Sequence, residues 1–139
     1  MGEYSDFGRW SNAAKGLPQG PLLNSAEINF SQRTVSSNVA QYADDMANGA
    51  WDWSRSGPLR VMEREGGWVS YDNRRLLASQ QSGATVPVQI VQPGEFMRPG
   101  VTWEQAFQSR FTHEWNVSAG GVVSNGGLST QPIILPPRR

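Results

Sequence analysis

Apolar and polar positions alternate in two neighbouring stretches, Leu59-Arg60-Val61-Met62-Glu63 and Trp68-Val69-Ser70-Tyr71, and a period of two marks both as strands. Between them Arg64-Glu65-Gly66-Gly67 offers the positive-φ residues of a tight turn, so the pair reads as a β-hairpin. Val86-Pro87-Val88-Gln89-Ile90-Val91 is a β-branched strand with its proline near the start, where a missing amide donor is tolerated. Ile28-Asn29-Phe30 predicts a short extended segment. Spacings of three and four replace the alternation at Val39, Tyr42, Ala43 and Met46, behind Ser36 and Ser37 as caps and ahead of Gly49, which predicts a short amphipathic helix. A second helix opens at Asp72 or Asn73, carries Leu76, Leu77 and Ala78 and stops at Gly83. The third starts in a capping box, Thr102-Trp103-Glu104-Gln105, and is expected to run to about His113 or Glu114.

The order is helix, hairpin, helix, strand, helix, without repeat or heptad, which predicts an α+β fold. The first 25 residues lack either period and read as a linker or arm, leaving 26–139 as one domain. Residues 116–139 read as an extended Gly-, Ser- and Pro-rich tail around Ile133-Ile134-Leu135. A chain of 139 residues suits one core and is short for two domains.

Twelve basic and twelve acidic side chains cancel, so no overall field attracts nucleic acid and any anion must be held locally. The absence of cysteine removes disulfides, thiolate metal sites and thiol nucleophiles, a composition that a secreted or translocated protein tolerates. No apolar run reaches the ~18 residues of a membrane span, and no signal-peptide pattern opens the chain, so membrane insertion is not expected.

One local conflict stands out. Arg74 and Arg75 fall in the first turn of the second helix, where the macrodipole disfavours cations, while the free amides of that turn attract anions. A bound anion would resolve the conflict, and so would an ion pair with Asp72, Glu63 or Glu65. Asp72 is also a candidate general base or metal ligand, although a hard cation needs more oxygens than one carboxylate supplies.

Further candidates are scattered. Gln32 and Arg33 precede the first helix. Trp51 and Trp53 are read either as a stacking wall for bases or as core. His113, the only imidazole, is suited to proton transfer at neutral pH or to a helix C-terminus. Arg110 and Glu114 are four apart and read as a paired surface face.

Pro58-Leu59-Arg60-Val61, Gly66-Gly67-Trp68-Val69-Ser70-Tyr71-Asp72-Asn73-Arg74-Arg75-Leu76-Leu77-Ala78 and Val86-Pro87-Val88-Gln89-Ile90-Val91 together resemble the ParB/sulfiredoxin-like superfamily over about residues 28 to 115. In that family a strand and turn lead into a polar, Arg-bearing element that opens a helix. The Asp-Asn-Arg-Arg-Leu version is most similar to the ParB-like toxin domains at the C-termini of bacterial polymorphic toxins. It departs from the Gly-Glu-Arg-Arg motif of the chromosome-partitioning form and lacks the sulfiredoxin cysteine, which excludes peroxiredoxin repair.

The resemblance implies phosphate-ester chemistry, foremost a nuclease acting in a target-cell cytoplasm after delivery by a larger protein N-terminal to the domain, with a cognate immunity protein as partner. Asp72, Arg74, Arg75 and His113 are then the catalytic candidates. Asn73, Arg33, Gln32, Arg60, Ser70 and Trp53 are the candidates for substrate and phosphate binding, and a divalent cation such as magnesium stays open. An NTP hydrolase or phosphotransferase on the same site, and a non-enzymatic interaction module with structural arginines, are the alternatives. An ADP-ribosyltransferase ranks low, since no strand delivers a suitable glutamate.

Overall fold

A computed structural model describes residues 20–137 and shows an α+β domain. Its main sheet has five strands in the order β1-β6-β4-β5-β2. In chain order these are β1 (Leu22–Asn24), β2 (Ile28–Asn29), β4 (Leu59–Arg64), β5 (Gly67–Ser70) and β6 (Thr85–Ile90). The short β3 (Thr34–Val35) pairs in parallel with β9 (Ile133–Ile134), and β7 (Phe96–Arg98) pairs with β8 (Val101–Thr102). The longer helices are α1 (Val39–Ala47), α3 (Asn73–Ser82) and α4 (Trp103–Phe111), and single turns form α2 (Trp53–Ser56) and α5 (Glu114–Ser118).

The β4–β5 hairpin forms where the alternation predicts it. Glu65 and Gly66 both adopt positive φ, 51° and 79°, the two left-handed residues whose twist matches that of antiparallel strands. Alternation along β4 also divides the core. Leu59 and Val61 face α1 and α3 in a cluster with Phe30, Met46, Trp53 and Leu76. Met62 faces the other way, with Val69, Trp103, Phe107 and Phe111. Arg60 shares the face of Met62, so its guanidinium emerges beside α4 rather than beside α1.

The third helix is shorter than its apolar pattern suggests. The capping box at Thr102 and Gln105 is present, but the helix ends at Phe111 and His113 is extended, turning the chain into α5. Part of the expected tail is thereby helical, and Ile133–Ile134 is paired with β3. Asn38, not Ser36 or Ser37, precedes α1, and its side chain donates to the Tyr42 hydroxyl instead of capping. At the other end, Leu22–Asn24 joins the sheet as an edge strand within the stretch read as an arm, because three residues are too few to show a period. Residues 1–19 of that stretch lie outside the described residues.

Phe30 and Leu128 exchange backbone hydrogen bonds at 2.7 and 2.8 Å, which ties the C-terminal segment to the strand-like region after β2. Gly127 permits this approach. Its φ is +76°, and an added Cβ would stand 2.8 Å from the Phe30 carbonyl oxygen. Gly127→Ala is therefore expected to cost about 2 kcal/mol or more, since the left-handed region and the clash add. Thermal unfolding followed by circular dichroism checks this, with Tm falling by roughly 5–10 °C.

Candidate functional site

The turn from β5 into α3 opens onto a cavity of about 670 Å³. Its floor is Asp72 and Asn73. It is lined further by Arg60 and Arg110, both set against the Tyr71 ring, by the Tyr42–Trp51 pair, by Arg74 and Arg75, and by Gln32, Val35, Trp115 and Leu135. Four guanidinium groups thus face one carboxylate in a chain whose total charge is zero.

Asp72 precedes α3 but does not cap it. Its carboxylate instead accepts a fork from Arg60, Nη2 to Oδ1 at 2.6 Å and Nε to Oδ2 at 3.0 Å, together with the Arg60 backbone amide at 2.8 Å. Arg75 adds an ion pair at 3.2 Å. Burial alone would raise the Asp72 carboxyl, but the Arg60 fork, the Arg75 charge and the Arg60 amide outweigh it and hold the group below its ordinary value. A carboxylate so saturated is a poor proton acceptor, and its geometry is that of a brace.

Arg75 is itself enclosed. It donates to the carbonyls of Ser56, Gly57 and Pro58 and lies 5.9 Å from the Trp53 ring, with burial lowering its pKa against the pull of Asp72. Among the described residues Arg74 reaches only the Ser36 hydroxyl, at 3.3 Å, and stays exposed. The two adjacent arginines therefore differ. One holds the α2–β4 loop against the helix start, and the other is free to meet a ligand.

Arg110 was not among the sequence candidates for this site. On α4 it turns inward, stacks 3.6 Å from the centroid of Tyr71 and donates one bond to the Tyr71 carbonyl. No carboxylate among the described residues lies within ion-pair distance of it. Burial lowers its pKa, with Tyr71 and Asp72 pulling the other way, but a guanidinium remains charged at any physiological pH. The expected i,i+4 pair with Glu114 does not form, because α4 ends between the two residues.

The remaining candidates fall on either side of the cavity wall. Asn73, 2% exposed, is fully engaged: Oδ1 accepts from the Ser31 amide at 2.7 Å, and Nδ2 donates to the Ser31 hydroxyl and to Gln32 Oε1. Gln32 lines the cavity. Ser70 is buried beneath it, its hydroxyl accepting from the Asp72 amide. Trp53 is core, whereas Trp51 is wall, in contact with Tyr42 at 4.9 Å. Arg33 points away, to the carbonyls of Gly121 and Val122, while Asn116 receives its amide.

His113 does not line the cavity. Its Nδ1 accepts the Trp115 amide at 3.2 Å and its ring lies on that of Trp115, at 3.8 Å between centroids. Among the described residues no group of three His, Asp or Glu side chains is placed to hold a metal ion. Likewise, no helix among them is long and apolar enough to cross a membrane.

No family model, curated protein or solved structure matches this chain. The site must be read from its own chemistry. Cations on two sides, aromatic faces at Tyr42, Trp51 and Trp115, and a saturated acid on the floor can bind an anion that carries a ring, and can stabilise negative charge developing on that anion.

Proposed function

We propose that this domain is a nuclease, gripping a phosphodiester in the cavity above Asp72 and stabilising the charge that builds on its oxygens during cleavage. The observation that carries the reading is Arg110, a half-buried guanidinium that lines the cavity and has no carboxylate within ion-pair distance among the described residues. A partly desolvated cation that Asp72 steadies only from beyond ion-pair distance gains from an anion that arrives beside it. Arg60, stacked over Tyr71 and Trp103 at 5.3 and 5.5 Å and forked onto Asp72, and Arg74 at the rim supply the second and third contacts. Tyr42, Trp51 and Trp115 supply faces for bases.

The similarity of the Asp72-Asn73-Arg74-Arg75-Leu76 element to ParB-like toxin domains extends this reading to the biology: a domain delivered by a larger toxin, active in the target cytoplasm and neutralised by a cognate immunity protein. A second reading, hydrolysis or transfer of a nucleoside triphosphate phosphate, is favoured by one feature. The aromatic pair Tyr42 and Trp51 lines the same cavity as Arg74 and Arg75, a combination suited to a base and its own phosphates.

The two are separated by offering plasmid DNA, total RNA and labelled ATP, each with and without magnesium. Cleavage of a nucleic acid with ATP intact is the expected result. Turnover of ATP beside intact nucleic acids moves the conclusion to the second reading. If all three substrates survive under every condition, both readings are wrong and an interaction module takes their place.

A further inference from the structure

The amide groups beside the cavity are not free to choose their orientation. The Ser31 backbone N–H can only donate, so the Asn73 atom facing it at 2.7 Å must be the carbonyl oxygen. Asn73 Nδ2 is thereby fixed as donor. One of its protons goes to the Ser31 hydroxyl at 2.9 Å, whose own proton is committed to the Ser70 carbonyl at 2.7 Å. The other is shared between Gln32 at 3.0 Å and, more distantly, the Tyr71 carbonyl at 3.4 Å, and since an Nε2 at 3.0 Å would set donor against donor, the Gln32 atom there is Oε1. A backbone amide has set the polarity of two side chains in succession.

Gln32 is consequently pinned by its oxygen. Its Nε2 group has no hydrogen-bond partner among the described residues, and the side chain lines the cavity. The other lining groups of fixed polarity agree with it: Arg60, Arg74, Arg75 and Arg110 are donors only, and the oxygens of Asp72 are already taken. We infer that Gln32 is a specificity-determining contact, held by Asn73 so that its amide N–H donates to an oxygen of the bound anion.

This inference rests on the reading of the cavity as a phosphate-ester site. It assigns different work to two residues that the motif places near one another. Gln32 touches the ligand. Asn73, buried and with both amide protons committed, is a positioning residue. A ligand that offers only donors and positive charge, such as a polyamine, meets four guanidinium groups and the Gln32 amide, and is disfavoured by charge.

The test measures binding of a short fluorescein-labelled single-stranded DNA by anisotropy, with the parent protein, Gln32→Met and Gln32→Glu. Methionine keeps the volume and removes the donor, and is expected to raise Kd about tenfold, the loss of one hydrogen bond to a charged acceptor. Glutamate keeps the bond from Asn73 but turns an anionic oxygen toward the ligand, with an expected rise of about a hundredfold. That excess is pH-dependent. The tenfold by which Glu exceeds Met corresponds to about one unit by which ligand binding raises the carboxyl, so the Gln32→Glu penalty shrinks as pH is taken from 8 to 5, a range over which a phosphodiester keeps its charge.

The half-buried side chain should leave Tm of both variants within about 2 °C of the parent. If Met and Glu bind as tightly as Gln, the contact does not exist. If both weaken binding equally at every pH, the donor orientation is wrong. Failure of the parent itself to bind DNA, or ATP in the same assay, overturns the phosphate-ester reading first and the role of Gln32 with it.

Discussion

If the cavity is a phosphodiesterase site, replacing Arg110 with methionine is expected to slow catalysis sharply while leaving the fold intact or more stable. The guanidinium lies flat on Tyr71 and makes one hydrogen bond, to the Tyr71 carbonyl, so its packing is that of a long apolar stem. Methionine preserves most of that contact and relieves a partly desolvated charge that has no carboxylate within ion-pair distance among the described residues. If the cation meets the charge developing on a phosphate, its loss should slow cleavage by about 10² to 10³-fold, the scale seen when one charge-stabilising donor is removed from an active site. Parallel measurements of cleavage rate and Tm decide the matter. A drop in Tm of more than a few degrees with activity retained would make Arg110 a structural residue.

Asp72→Ala should do the reverse and fail first as a folded protein. Its carboxylate is 11% exposed and holds both Arg60 and Arg75, so truncation leaves two converging cations with their acid removed. Breaking a buried pair in this way costs about 3–5 kcal/mol, discounted here because Arg60 is 37% exposed and regains some water. The same bond carries a pH signature. The folded-state carboxyl sits below its unfolded value, so the stabilisation is complete above about pH 5, declines as pH falls through the ordinary ~3.9, and is gone below the depressed native value. Chemical denaturation between pH 7 and 3 should show that decline in the parent and a much flatter profile in Asp72→Asn. Equal slopes would show that Asp72 is not the group being titrated.

The two predictions separate roles that the sequence placed side by side. Asp72, Asn73, Arg74 and Arg75 occupy one helix start, and the conflict between cations and macrodipole directs attention to it from sequence alone. The structure divides them into a brace, a positioning amide, a rim cation and a loop clamp. That division depends on Ser31, Gly57 and Arg60, which are distant in sequence, and no local rule could supply it.

What was legible shares one property: its cause is local. The Glu65-Gly66 turn, the Thr102 and Gln105 capping box and Gly83 in the left-handed conformation after α3 each depend on a few consecutive residues. Arg110 was misread because a plausible local partner, Glu114, stood four residues on. Its actual partner is Tyr71, 39 positions back, and the helix break at Thr112 that separates it from Glu114 leaves only a weak trace in His113 as the next cap. Trp115 and Leu135 were missed for a similar reason. The stretch after Asn116 has no period of its own, and β9 becomes a strand only because Ile133 and Leu135 donate to carbonyls of Arg33 and Val35.

The pairing of β9 with β3 also governs when the cavity first exists. Its walls draw on Gln32 near one end of the described chain and on Leu135 near the other, so during synthesis the last wall is added only after almost all the rest has left the ribosome. A nascent chain, however far its hairpin and first helices have folded, would still lack the Leu135 side of the cavity until β9 pairs with β3.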